Sequence, residues 1–220
     1  MKFHKINLET WDRAEYFRHF IDDVRCVMCL TARVDLTRLL PAVKKRGVRF
    51  YPAFIYVVAK VVNSRREWKL SFDEEGNVGY FDRVDPSYIL FHKEDETFTR
   101  LVTPFSEDFF DCTGRITADL ERYDGYRGFS VPDVPRNIFD VSCLPWLSYQ
   151  SFDMHVFDSG AYLAPVVTWG KYIKSGESIT MPLTMQVHHA AADGFHLCRF
   201  FKEVQREIDA LSGLLEAAIR

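Results

Sequence analysis

Ser178-Ile179-Thr180-Met181-Pro182-Leu183-Thr184-Met185-Gln186-Val187-His188-His189-Ala190-Ala191-Ala192-Asp193-Gly194 is the stretch on which the reading of the fold turns. Ile179, Met181, Leu183, Met185 and Val187 occupy every second position, the period of a strand with one apolar face. The spacing predicts a strand over 177–189. In that register His189 shares the apolar face and His188 points the other way. Burial disfavours an imidazolium, so a histidine there tends to be neutral and able to accept a proton. The same position suits a core histidine bonded to a backbone carbonyl, and periodicity alone leaves the two readings even. Beyond the Asp-Gly turn, a helix over 194–211 places Leu197, Phe201, Val204, Ile208 and Leu211 on its inner face.

The rest of the chain supplies partners for that strand. Residues 24–34 alternate, with Val24, Cys26, Met28, Leu30, Ala32 and Val34 on one face. A short strand over 2–8 and a helix from Trp11 to about Phe20, capped by Thr10, precede them. A short helix opens at Asp35 or Thr37 and stops at Gly47. Pro52 opens a second, apolar almost all round through Val62 and therefore buried. Strands over 68–72, 77–82, 87–92 and 97–103 read as an antiparallel meander. An amphipathic helix over 107–122 and a loop over 123–135 follow, then strands at 138–143, 150–157 and 162–170. The expectation is one α+β domain spanning 1–220, with a large mixed, mostly antiparallel sheet flanked by helices.

Composition narrows the function. A net charge of -3 without a basic block gives nucleic acid no electrostatic footprint. No apolar run reaches the ~20 residues needed to span a bilayer, and the N-terminus lacks a signal peptide's apolar core. The expected location is cytoplasmic. Five cysteines, an odd number, argue against a secreted disulfide framework. Cys26 and Cys29 have redox-motif spacing, but residues three apart on a strand face opposite sides. The 19 Phe, 10 Tyr and 4 Trp can build a core or line an apolar ligand pocket.

Adjacent His188 and His189 diverge on a strand, and His-Glu-x-x-His is absent, so no metal site is expected. Phosphate loops and the G-x-S-x-G elbow are missing too. What remains is a histidine base, which needs an electrophile and a donor for the developing oxyanion. Ser142, at a strand end, has a suitable hydroxyl; on composition alone a backbone-satisfied serine is the better reading. Arg13 and Asp193 have opposite charges and could pair to hold the histidine loop; unrelated surface charges are the simpler reading.

His188-His189-x-x-x-Asp193-Gly194-Phe195-His196 resembles the active-site signature of the chloramphenicol acetyltransferases. Trp11-x-Arg13-x-x-Tyr16-Phe17, Phe50-Tyr51-Pro52-Ala53-Phe54-Ile55, Phe91-His92 with Glu96-Thr97-Phe98, Ser142-x-x-Pro145-Trp146, Ser151-Phe152-Asp153, Ala164-Pro165-x-x-Thr168 and Lys171-Tyr172 also follow that family's order. The resemblance implies a CoA-dependent acyltransferase fold and direct acetyl transfer from acetyl-CoA to a hydroxyl of chloramphenicol, which inactivates the antibiotic. It implies His189 as base, Ser142 as oxyanion donor, Thr168 as support for the intermediate, and Asp193 held by Arg13. Trp146, Lys171 and Tyr172, with Ser142 and Thr168, fall near the coenzyme. Phe20, Met28, Phe98, Phe129, Phe152, Met154 and Tyr162 match acceptor-pocket positions. A homotrimer with sites between subunits is implied as well. Ala192 stands where the family usually has cysteine, and Met28 where it has an aromatic; these leave the acyl chemistry intact and the acceptor less defined. The alternatives are a different hydroxyl acceptor, or a non-catalytic ligand-binding homologue. The dodecameric acyltransferase relatives fit less well, since they carry extra lipoyl domains and usually arginine where this chain has the doublet's first histidine.

Overall fold

The computed structural model describes residues 1–154 and 162–217. Ten strands and five helices alternate irregularly along the chain: β1 (Phe3–Lys5), α1 (Ala14–Arg18), β2 (Val27–Asp35), α2 (Leu39–Lys45), α3 (Phe50–Asn63), β3 (Leu70–Phe72), β4 (Val78–Phe81), β5 (Asp85–His92), β6 (Thr97–Val102), α4 (Phe109–Arg122), β7 (Ile138–Leu144), β8 (Val166–Gly170), β9 (Ile173–Ser175), β10 (Ser178–His188) and α5 (Gly194–Ala217). Strands β2-β10-β8-β7-β5-β6 form the large sheet, with β9 also on β10, and β1-β4-β3 form a small one. In the large sheet β7 runs parallel to β5 and β8, and the other pairs are antiparallel. The sheet is mixed and flanked by helices, an α+β architecture as the alternation predicts. None of the described helices is long and apolar enough to cross a membrane.

The decisive strand is present, but both of its faces are covered. Met181, Leu183, Met185 and Val187 are buried in the core, and Thr184, Gln186 and His188 are buried on the other face. Helices α2, α3 and α5 pack together on the core side, with α5 against β2 and α3 against β5. Segment 149–154 covers the other side. Its expected strand over 150–157 is not formed at 150–154, and 155–157 lie outside the described residues. Side chains satisfy that backbone instead: Cys29 donates to the Phe152 carbonyl at 3.1 Å, and the Met154 N–H donates to Gln186 Oε1 at 3.1 Å.

Other boundaries shift for physical reasons. A π-helical turn over His19–Asp23 delays β2 to Val27. Helix α3 starts at Phe50, ahead of Pro52, whose missing N–H costs nothing within the first turn. Helix α5 runs past Leu211 to Ala217 because Ser212 and Leu215 are still buried. The expected meander is split between the two sheets. Asp85 at the start of β5 is buried and held by the Phe105 N–H at 2.8 Å and Asn137 Nδ2 at 3.1 Å, and β5 pairs in parallel with β7. Strand β8 begins only at Val166, after Pro165, and the short β9 is an element the periodicity missed. All five cysteines are free thiols.

Candidate active site

Strand β7 separates two environments by alternation. Phe139 and Val141 are core residues, and Asp140 and Ser142 fall on the opposite face. Ser142 aligns with Thr168 on β8, Thr168 with Thr184 on β10, and Thr184 with Thr31 on β2. Aligned residues on neighbouring strands share a face, so four hydroxyl residues form a row across the sheet. Thr184 donates to the Tyr149 hydroxyl at 3.0 Å, which donates to the Thr168 carbonyl at 2.8 Å. Thr184's one proton is thereby committed, so Thr31 is the donor in its 2.7 Å contact with Thr184. This directed chain ties β2, β10 and β8 together through Tyr149 at the level of Ser142.

At the Ser142 end of the row opens a cleft of about 1070 Å³. Ser142, Pro145 and Trp146 line it from the end of β7, Phe91 and Phe98 from β5 and β6, and Lys171 and Tyr172 from the turn after β8. Met154 and Tyr162 close another wall. Most of this lining is aromatic or aliphatic, which suits an apolar ligand with a few polar anchors. Burial pushes the Cys143 thiol up to about 12, so it stays neutral at ordinary pH and is a poor nucleophile.

His189 lies at the other end of β10, one residue past the strand. Its N–H donates to the Cys26 carbonyl at 2.8 Å, and its ring stacks on Phe20 with centroids 3.7 Å apart and planes 8° apart. Nδ1 of His189 is buried with no hydrogen-bond partner among the described residues. Beyond it, Arg13 Nη1 donates to Asp193 Oδ2 at 2.9 Å, and His196 Nδ1 meets Asp193 Oδ1 at 2.8 Å. Burial alone raises the Asp193 carboxyl, but the hydrogen bonds from Arg13 and His196 outweigh it and hold the carboxyl at about 2. The aspartate therefore anchors the loop on the Arg13 side. The Met28 side chain lies against Gly194, within 3.8 Å of where a Cβ would sit.

The expected site residues thus fall into two groups within one chain. Ser142, Trp146, Lys171, Tyr172, Phe98, Met154 and Tyr162 line the cleft, with Thr168 buried in the row beneath. His189, Phe20, Met28, Arg13 and Asp193 gather at the end of β10. Phe129 is exposed beside Phe98, with ring centroids 5.8 Å apart, and Phe152 packs on Tyr149 at 5.7 Å; neither lines the cleft. His189 is five residues beyond Thr184, which is level with Ser142. At a strand's rise that is about 16 Å along the sheet, too far for base and oxyanion donor to act on one carbonyl. The sequence reading also passed over Asp140, whose signal was its place two residues before Ser142 on the same strand face.

Fold and site together define an α+β protein with a large mixed sheet, an apolar cleft at the end of β7 and a histidine just past β10, the second strand of that sheet. A solved chloramphenicol acetyltransferase superposes with a TM-score of 0.81 at 22% identity, covering 94% of this chain and all (100%) of that one. The cubic core of the pyruvate dehydrogenase multienzyme complex has the same fold, with a TM-score of 0.65 at 13% identity over 97% of this chain and 94% of its own. The model of the family "Chloramphenicol acetyltransferase" matches residues 1–205. A chloramphenicol acetyltransferase from Clostridium butyricum is 39% identical over 206 residues, 93% of this chain and 94% of that protein. Another, from Clostridioides difficile, is 39% identical over 209 residues, 94% of this chain and 97% of that protein. The chain belongs to the chloramphenicol acetyltransferase family.

Proposed function

We propose that this protein is an acetyl-CoA-dependent O-acetyltransferase that acetylates a hydroxyl of chloramphenicol and so inactivates it. The family match and the relatives' names support this reading, and the observation that carries it is the apolar cleft opening over Ser142. His189 takes the proton of the acceptor hydroxyl, whose oxygen forms a bond to the thioester carbonyl carbon. Ser142 donates to the resulting oxyanion, with Thr168 supporting it from the adjacent strand. Collapse breaks the carbon–sulfur bond, and the proton held by His189 goes to the departing CoA thiolate. A thioester is electrophilic enough that positioning, one base and one oxyanion donor suffice.

Trp146, Lys171 and Tyr172 sit where a CoA chain would pass, the lysine suited to its phosphates and the rings to its adenine or pantetheine arm. The active unit is a homotrimer of single-domain chains, spanning 1–220, in the cytoplasm. The separation of His189 from Ser142 along one chain supports sites built between subunits, each base meeting its neighbour's cleft. Phe20, Met28, Phe129 and Phe152 join the acceptor wall in that arrangement.

Mixing the protein with acetyl-CoA and chloramphenicol and following free thiol tests this reading. Rapid release that depends on chloramphenicol is the expected result. Release only with other alcohols leaves the chemistry and replaces the acceptor, and no release with any acceptor sinks the enzyme reading. The alternative of a different hydroxyl acceptor is favoured by one observation, the Asp140 carboxyl in the cleft wall.

A further inference from the structure

Asp140 is an acid in a wall built of aromatic and aliphatic side chains, and no step above uses it. It lines the cleft on the same face of β7 as Ser142, two residues earlier and therefore about 7 Å away along the strand. Across the sheet it aligns with Ser87 on β5 and Val166 on β8. The Tyr162 hydroxyl, also in the cleft wall, donates to Asp140 Oδ2. Ser87 is 1% exposed, lines the same cleft, and its Oγ meets no hydrogen-bond partner within bonding geometry among the described residues. The Ser87 hydroxyl, level with the carboxyl on the neighbouring strand, favours its charged form. Arg100 on β6, two strands away across β5, is the cation that acts on it. Burial nevertheless pushes the Asp140 carboxyl upward, as expected where the wall has displaced water. Charged or polar groups in such a wall are costly unless something pairs with them, and an unpaired buried Ser87 hydroxyl beside the acid marks a place prepared for a ligand atom.

We propose that Asp140, held by Tyr162 and flanked by Ser87, is the specificity-determining residue of the acceptor site and selects acceptors carrying a hydrogen-bond donor, an amine or amide N–H or a second hydroxyl, about 7 Å from the reacting hydroxyl. The inference rests on the acetyltransferase reading for the identity of the cleft. It adds that an acceptor-only group at that distance, such as an aryl nitro group, is disfavoured. A carboxylate oxygen offers a nitro group only repulsion, whereas a donor completes a charge-assisted hydrogen bond. A site built to bond such a donor rejects the analogue lacking it, because the acid then keeps only its bond from Tyr162 and loses the ligand's.

The test compares chloramphenicol with the analogue in which its aryl nitro group is reduced to an amine. Both are measured by acetyl transfer, as kcat/KM, and by equilibrium binding through tryptophan fluorescence, with wild type, Asp140→Asn and Asp140→Leu. The wild type should favour the amine over the nitro compound, and both substitutions should shift that ratio towards the nitro compound by roughly tenfold or more. Tyr162→Phe removes a donor from the acid but keeps its charge, and should preserve the amine preference. A ratio constant within about twofold across wild type and both Asp140 variants overturns the proposal while the acetyltransferase reading stands. If neither compound is acetylated but amine-favoured binding disappears in Asp140→Asn, the specificity element stands and the acetyltransferase reading fails. Thermal melting of each variant separates a lost site from a lost fold.

Discussion

The two faces of the large sheet are made by the same strands and do opposite things. On the helix side, Leu183, Met185 and Val187 meet α3 and α5 in a core where nearly every side chain is aliphatic or aromatic. On the other side, one residue out of phase, lie Thr184 and Thr168, buried in the hydroxyl row, and Ser142 and Asp140, which line the cleft. Period-two alternation thus divides the apolar core from the polar row, and the cleft at the strand ends draws on both, with Ser142 and Asp140 from one face and Val141 and Trp169 from the other. The helix side should pay for any change in stability, and the cleft side in activity.

The largest effect expected from breaking that division is at His189, which stands at the end of β10. His189→Ala should lower acetyl transfer by about 10²–10⁴, the range for losing a general base, while losing only the stacking contact with Phe20. Equal activity in that variant removes His189 from the chemistry. On the core side, Phe54 is fully buried in α3 and meets Trp169 edge-on at 4.8 Å. Phe54→Ala should cost about 3–5 kcal/mol in denaturant unfolding, with surviving folded protein keeping its kcat; a loss of kcat without loss of stability would reverse the assignment. Ser142→Ala is the converse case. It should slow transfer by about 10²–10³ and leave the denaturation midpoint unchanged.

Thr184 tests where the two faces are coupled. Its hydroxyl is buried between Thr31 and Tyr149, so Thr184→Val keeps the shape, leaves the Thr31 hydroxyl without its acceptor and takes the incoming donor from Tyr149, which keeps its bond to the Thr168 carbonyl. The expected cost is about 1–3 kcal/mol of stability, with a smaller fall in rate through the position of Thr168. A rate loss larger than that of Ser142→Ala would show the hydroxyl chain to be part of the chemistry and not its scaffold.

These contrasts explain what could be read from the sequence. The alternation of 178–188 survives as β10 because a strand's apolar period is a local property. The covering of its second face was not legible, since that depends on segment 149–154, whose backbone bonds to Cys29 and Gln186 instead of to a strand. Likewise Ser142 could be placed at a strand end, but the row it shares with Thr168, Thr184 and Thr31 exists only once β7, β8, β10 and β2 are in register. The Arg13–Asp193 pair joins residues 180 positions apart, a contact that composition cannot announce. Asp140 was missed because an acid between Phe139 and Val141 reads as an ordinary outward strand residue until a cleft is found above it.

The smallest expected effect is at Asp193, which belongs to neither face and holds the turn that follows the base. Its carboxyl lies at about 2, below the ordinary 3.8, because the hydrogen bonds from Arg13 and His196 outweigh the opposing effect of burial. A carboxylate whose folded value is depressed stabilises the fold fully above the unfolded value and loses that contribution as the pH falls through the folded one. The window here runs from about pH 4 down to about pH 2. With the Asp193 side chain 37% exposed, solvent screening limits the contribution to about 1 kcal/mol or less. Asp193→Asn should therefore lower the melting temperature slightly at neutral pH, and the gap to wild type should close as both are acidified to about pH 2. Its rate should fall less than that of His189→Ala, because the loop loosens while the imidazole remains. A gap that stays constant from pH 7 to pH 2 would mean that the Arg13 contact does not stabilise the loop, and a rate loss equal to that of His189→Ala would place Asp193 in direct partnership with the base.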